Sequence, residues 1–289
     1  MTTNKEIIET LSKEEGILDL LDYTNILAYT QSEKIASKIF KIVDSSTFHS
    51  GDYNKILFNT PLESTANKII EISKKEMFTS WDFNELQYVK LESTANKILE
   101  LSEYFGYTRW VYSDIVINTP IESVKQKMIE LADRDNFVYW NYEDILKNEE
   151  NENIAKQFFK LANINGYNSW LYNDVLAEAN LEYVRMKILE IGVSNKFKNW
   201  KYNDILMYET STSVAKKVFE IAEKNNFKDW KYNNIVPFCF NEFVANKMIE
   251  LAEKNGFTNW YYSDINLHSK YDSVKEKMKK IMSLINDNK

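Results

Sequence analysis

Apolar residues fall at Val214, Val218, Ile221 and Ala222, and again at Val244, Met248, Leu251 and Ala252. Spacing of i, i+4, i+7 and i+8 puts one stripe on one side of a helix of about four turns. Lys and Glu fill the positions between. A shorter motif precedes each stripe: an aromatic residue, an acid or amide, then an aliphatic pair, as in Tyr202-Asn-Asp204-Ile205-Leu206. It predicts a short first helix. Asn or Gly after the long stripe (Asn225-Asn226, Asn255-Gly256) predicts a C-cap, and a Phe or Tyr beyond it closes the unit.

This unit recurs along the chain. Trp stands at 81, 110, 140, 170, 200, 230 and 260, an interval of 30 residues and once 29. A fixed period in the 20–50 range is the signature of a repeat array. The expected fold is all-α: an α-solenoid (superhelix) of about nine tandem helix-turn-helix repeats in a single domain over 1–289. Ile7, Ile8 and Leu11 place a capping helix in residues 1–15, repeats follow to about 270, and the Lys-rich helix over 271–289 suits a solvated C-terminal cap. One residue is missing between Leu86 and Glu92, where a local kink is expected. Ser, Asn or Asp before Trp (Ser80, Ser169, Asn199, Asp229, Asn259) is the expected N-cap of the short helix. Thr60-Pro61-Leu-Glu63 and Thr119-Pro120-Ile-Glu122 match the capping box of the long one.

One hairpin of this kind cannot bury its aromatic side alone. The ladder of Trp81, Trp110, Trp140, Trp170, Trp200, Trp230 and Trp260 is therefore expected between units, as core. Its functional alternative is a stacking platform for single-stranded bases. A second ladder, including Lys68, Lys97, Lys127, Lys187, Lys217 and Lys247, could follow a phosphate backbone. Most of these lysines have Glu three residues on, and that spacing also suits ion pairs.

Scarce Gly and Pro, 6 and 3, suit a helical chain, and a net charge of −7 offers no general attraction to nucleic acid or anionic membrane. A single cysteine, Cys239, excludes an internal disulfide. Neither a signal peptide nor a membrane-spanning stretch is expected, so the predicted location is cytoplasmic. His49 and His268 stand in different repeats without ligands at metal spacing. No metal, cofactor or catalytic residue is expected, and an enzyme is not the predicted class.

What varies while the frame stays fixed is the turn between the two helices: Tyr88-Val-Lys-Leu91, Tyr208-Glu-Thr-Ser211, Phe238-Cys-Phe-Asn241, His268-Ser-Lys-Tyr271. Such turns line one edge of a repeat protein and carry binding. Candidate contact residues are Tyr88, Tyr208, Phe238, Phe240 and Tyr271, with Phe238 and Phe240 expected to tuck against the next unit. The array is similar to the α-solenoids that include tetratricopeptide and HEAT repeats. Its helix order also resembles the TAL-effector DNA-binding repeat, although Asn148-Glu-Glu-Asn151 and Tyr208-Glu-Thr-Ser211 lack the glycine pair of that repeat. The expected function is a scaffold for protein or peptide partners. The TAL-effector resemblance implies the alternative, a modular nucleic-acid binder using the Lys ladder. A self-assembling element is the third possibility.

Overall fold

The computed structural model describes residues 22–43 and 48–287. The capping helix predicted over 1–15 lies outside them. Among the described residues the chain is all-helical, a solenoid of helical hairpins. It divides into two compact units, up to Asn141 and from Tyr142 onward. The first unit holds α1 (Tyr23–Tyr29), α2 (Glu33–Ile42), α3 (Ser50–Asn59), α4 (Glu63–Lys75), a 3-10 helix (Phe83–Tyr88), α5 (Glu92–Tyr104), α6 (Tyr112–Asn118) and α7 (Glu122–Arg134). The second holds α8 (Tyr142–Asn148), α9 (Glu152–Ile164), α10 (Tyr172–Glu178), α11 (Glu182–Ser194), α12 (Tyr202–Tyr208), α13 (Thr212–Lys224), α14 (Tyr232–Phe238), α15 (Glu242–Lys254), α16 (Tyr262–His268) and α17 (Asp272–Asp287). Within each unit, short helices pack on short helices and long on long, in two layers.

A helix of 7 residues such as α12 is too short to persist alone. Ring packing holds it. Tyr202 at its start meets Phe227 at 4.8 Å and Trp230 at 6.3 Å, and Phe227 meets Trp230 edge-on at 89°. The same trio recurs as Tyr172, Phe197 and Trp200, and as Tyr232, Phe257 and Trp260. Each Trp therefore packs against the short helix of the preceding repeat. Six of the seven Trp are buried and Trp230 is half-buried. The long-helix position beneath the indole stays small: Ser73, Ser102, Ala132, Ala162, Gly192, Ala222, Ala252. At Gly192 a Cβ would lie 2.5 Å from Trp200, so the ring has settled into the space that glycine leaves.

Seven long helices, α4, α5, α7, α9, α11, α13 and α15, end in a Schellman motif. In α13, the Phe227 N–H donates to the Ala222 carbonyl at 2.9 Å, and the Asn226 N–H donates to that of Glu223 at 3.0 Å. The C′ residue must enter the left-handed region. Gly106, Gly166 and Gly256 do so without a side chain, whereas Met77, Asn136, Lys196 and Asn226 do so with one.

The chain from Phe227 to Lys231 is not helical, so its backbone needs other partners. An asparagine of the preceding repeat supplies them. The Asn203 amide donates to the Asp229 carbonyl at 2.9 Å and accepts from the Lys231 N–H at 3.1 Å. Asn54, Asn84, Asn173 and Asn233 make the same double contact. Ser113 and Glu143, at the same position, accept one N–H each. This corrects the expected N-cap before Trp. The short helices begin two residues after Trp, and α10, α12, α14 and α16 lack a side-chain cap bond: Leu171, Lys201, Lys231 and Tyr261 stand at the cap, and a side chain of the preceding repeat holds the N–H of each.

The capping boxes are also corrected. Thr60 and Thr119 cap the C-termini of α3 and α6, and their hydroxyls accept the N–H of Leu62 and Ile121 at 3.2 and 3.3 Å. The long helices start only at Glu63 and Glu122, with Pro61 and Pro120 in the turn. Where one residue is missing, Phe83–Tyr88 winds as a 3-10 helix of 6 residues in place of an α-helix of 7. A 3-10 rise of about 2.0 Å per residue, against 1.5 Å, lets fewer residues span the same gap.

Replacing Asn203 with Ala removes both clamp bonds and should cost about 1–2 kcal/mol in urea unfolding. Lys196→Gly should instead stabilise by about 0.5–1 kcal/mol, because glycine removes a left-handed penalty of about 1–2 kcal/mol at a smaller entropic cost. A loss of stability in Lys196→Gly would contradict the left-handed cap.

Candidate functional site

The turns between short and long helices lie along one edge of each unit. Backbone bonds tie neighbouring turns of the second unit together. The Phe240 N–H donates to the Met207 carbonyl at 3.2 Å and the Asn180 N–H to that of Lys147 at 3.3 Å, while Asn241 Nδ2 donates to the Thr210 carbonyl at 2.9 Å. The edge is therefore built by main chain, and its side chains project from a fixed base.

Not every variable turn residue faces outward. The second turn position is buried in each described repeat: Thr30, Thr60, Val89, Thr119, Glu149, Ala179, Glu209, Cys239 and Ser269. Hydroxyl or carboxylate oxygens here accept the N–H two residues on, as Glu149 does from Asn151 at 2.8 Å and Glu209 from Ser211 at 2.6 Å. Burial raises the Glu209 carboxyl above the usual range, opposed by its backbone N–H bonds and by Arg185, whose Nη2 is 3.5 Å away. Burial likewise pushes the Cys239 thiol up to about 11, which leaves it a poor nucleophile. Variation at this position adjusts internal turn chemistry and offers nothing to a ligand.

The residues on either side of it do face outward. Tyr208 is 66% exposed, Phe238 47% and Phe240 48%. The expectation that both phenylalanines tuck in is thus corrected: Cys239 between them takes the interior position and turns its neighbours out. Tyr208 and Phe240 meet at 6.1 Å, Phe238 stacks on His268 at 5.1 Å, and Lys270 Nζ lies 4.3 Å from the centre of the Phe240 ring. Tyr271 is half-buried, and burial raises its phenol. Tyr88 is exposed on the turn edge of the first unit, apart from this group.

All six candidate lysines of the ladder have carboxylate partners. Lys68, Lys187, Lys217 and Lys247 meet Glu71, Glu190, Glu220 and Glu250 at 2.9, 2.9, 3.3 and 3.1 Å. Lys127 lies between Glu103 at 3.0 Å and Glu130 at 3.9 Å, and Lys97 reaches Glu63 of the preceding repeat at 3.1 Å. Two lysines beside the Glu71 carboxylate hold it down at about 2. Exposed pairs of this kind contribute only tenths of a kcal/mol each.

Two features escaped the sequence reading. One is the Asn clamp, signalled by the repeated dipeptide Tyr-Asn at 53, 172, 202 and 232. The other is a cleft of about 750 Å³ between α4 and α5, lined by Met77, Phe78, Trp81, Tyr104 and Phe105, with Lys74 and Glu100 at its sides. An equivalent cleft of about 570 Å³ lies between α11 and α13, and the one between α4 and α5 differs in its lining by a paired exchange. In α8, α10, α12 and α14 the buried tyrosine hydroxyl accepts from an Asn at the end of the next long helix, at 2.6, 2.8, 2.6 and 2.7 Å. Phe83 has no hydroxyl, and Phe105 stands where that Asn would be, 6.5 Å from it.

Among the described residues no helix is long and apolar enough to cross a membrane, and no group of three or more His, Cys, Asp or Glu could hold a metal ion. Comparison of the chain with family models, curated proteins and solved structures finds no match.

Burial raises the phenols of Tyr53, Tyr112, Tyr142 and Tyr202, and burial with the Glu143 carboxylate lifts Tyr167 to about 12. These groups stay neutral in the fold but ionise near pH 10 in the open chain. Stability is thus whole below about pH 10 and is lost as pH rises toward the folded values. Full phenolate absorbance at 295 nm should be reached only with loss of helical ellipticity; ionisation of all 18 tyrosines with the helix signal intact would contradict the buried ladder.

Proposed function

We propose that this chain is a non-enzymatic helical-repeat scaffold that binds a protein or peptide along its turn edge. The observation that carries this reading is the cluster of exposed rings, Tyr208, Phe238 and Phe240, on a backbone-bonded base. Large apolar side chains turned to solvent on a rigid frame gain most by burial against a partner, and aromatic residues dominate the energetics of such contacts. Ion pairing of the Lys ladder weighs against the nucleic-acid alternative, since a cation already matched to a carboxylate releases fewer counterions from a phosphate backbone.

The test is a capture experiment with the full chain beside a Tyr208→Ser/Phe238→Ser/Phe240→Ser variant. Proteins retained by the parent and lost by the variant, at equal thermal stability, are the expected result. Equal retention by both, or recovery of nucleic acid alone, would overturn the proposal.

A further inference from the structure

We propose that the turn edge of the second unit docks a basic, extended segment of a partner protein, whose lysine or arginine side chains lie on the faces of Tyr208, Phe238 and Phe240. This rests on the scaffold reading above and gives the partner a chemistry.

Exposed ring faces attract cations through the ring quadrupole. One of them already does so within this chain, where Lys270 Nζ sits over Phe240 at 4.3 Å. The charge around the rings points the same way. The five turns over 148–153, 178–183, 208–213, 238–243 and 268–273 carry eight carboxylates against one lysine, a balance of −7 that equals the net charge of the whole chain. In the first unit the four turns over 29–34, 59–64, 88–93 and 118–123 carry four carboxylates against two lysines. Glu149 and Glu209 are buried, but Glu150, Glu182, Glu242 and Asp272 are exposed. Among the described residues, Glu152, Glu178 and Glu209 of these turns have ion pairs, whereas none of Glu150, Glu182, Glu242 and Asp272 does. Several exposed carboxylates of the same turn edge are therefore left without a cation of their own.

Spacing favours an extended ligand. Rings of successive turns, Tyr208 and Phe240, are 6.1 Å apart. Alternate residues of an extended chain are about 6.6 Å apart, so two alternate side chains match these two rings. An acidic peptide or a nucleic acid would meet repulsion along the same edge.

The structural alternative for Glu182, Glu242 and Asp272 is service to the helix N-termini they begin. That role would survive without any partner, so the test separates the two. A random peptide display library is panned against the full chain at about 0.1 M salt, and selected peptides are measured by fluorescence anisotropy. They should carry Lys or Arg at alternating positions. They should bind about tenfold or more weaker to Tyr208→Ala/Phe240→Ala, and also weaker to Glu150→Gln/Glu182→Gln/Glu242→Gln, with both variants keeping the parent's helical ellipticity. Neutral or acidic peptides that still depend on the rings, or basic ones indifferent to the carboxylates, would overturn the basic partner and leave the scaffold standing. No enrichment, or binding indifferent to the rings, would overturn both.

Discussion

Each indole belongs to two repeats at once, and the remainder of the fold follows from that sharing. Trp200 leaves the long helix of one hairpin edge-on to Phe197 and lies against Tyr172 of the same preceding hairpin's short helix. Seven-residue helices would not hold without it. Ring pairs of this kind add about 0.5–1.5 kcal/mol beyond the area they bury, and the arrangement recurs at each Trp. The small residue beneath each ring, Ala222 or Gly192 for example, is the other half of the same constraint.

Polar chemistry inside the array serves that packing. The Asn203 amide matches a backbone donor and acceptor of the next repeat, as a paired strand would, and keeps the extended segment around Trp230 from carrying unsatisfied groups. The Asn225 amide does the same for the buried Tyr202 hydroxyl. With these demands met internally, the exposed rings and several carboxylates without a cation gather at the turn edge.

The hairpins and the ring ladder were legible because a repeat period and a helical stripe are simple consequences of burial. Left-handed caps were legible in part: Gly256 announces one, while Lys196 in the same conformation does not. Helix starts were misread because Thr60 and Ser80 look like N-caps by residue type, and only the fold shows that the first caps the preceding helix and the second gives its carbonyl to Asn54. The turn edge was legible as a place but not as a surface. Nothing in Phe238-Cys-Phe240 states which side chain turns inward; the fold shows that the second turn position is buried in each described repeat.

Beside the hydroxyl–amide pairs and the Tyr112 hydroxyl that donates to Asp135, the two phenyl rings at Phe83 and Phe105 give one joint both a polar and an apolar chemistry. They do not mix. A tyrosine facing Phe105 would strand its hydroxyl at about 1–3 kcal/mol, and a phenylalanine facing the exposed Asn225 would forfeit the bond at about 0.5–1.5 kcal/mol. Passage between the two therefore runs through a less stable form, and hairpins are interchangeable only when the cut keeps both halves of a joint together. The natural module of this chain accordingly runs from one tyrosine through the end of the following long helix, and not from one indole to the next.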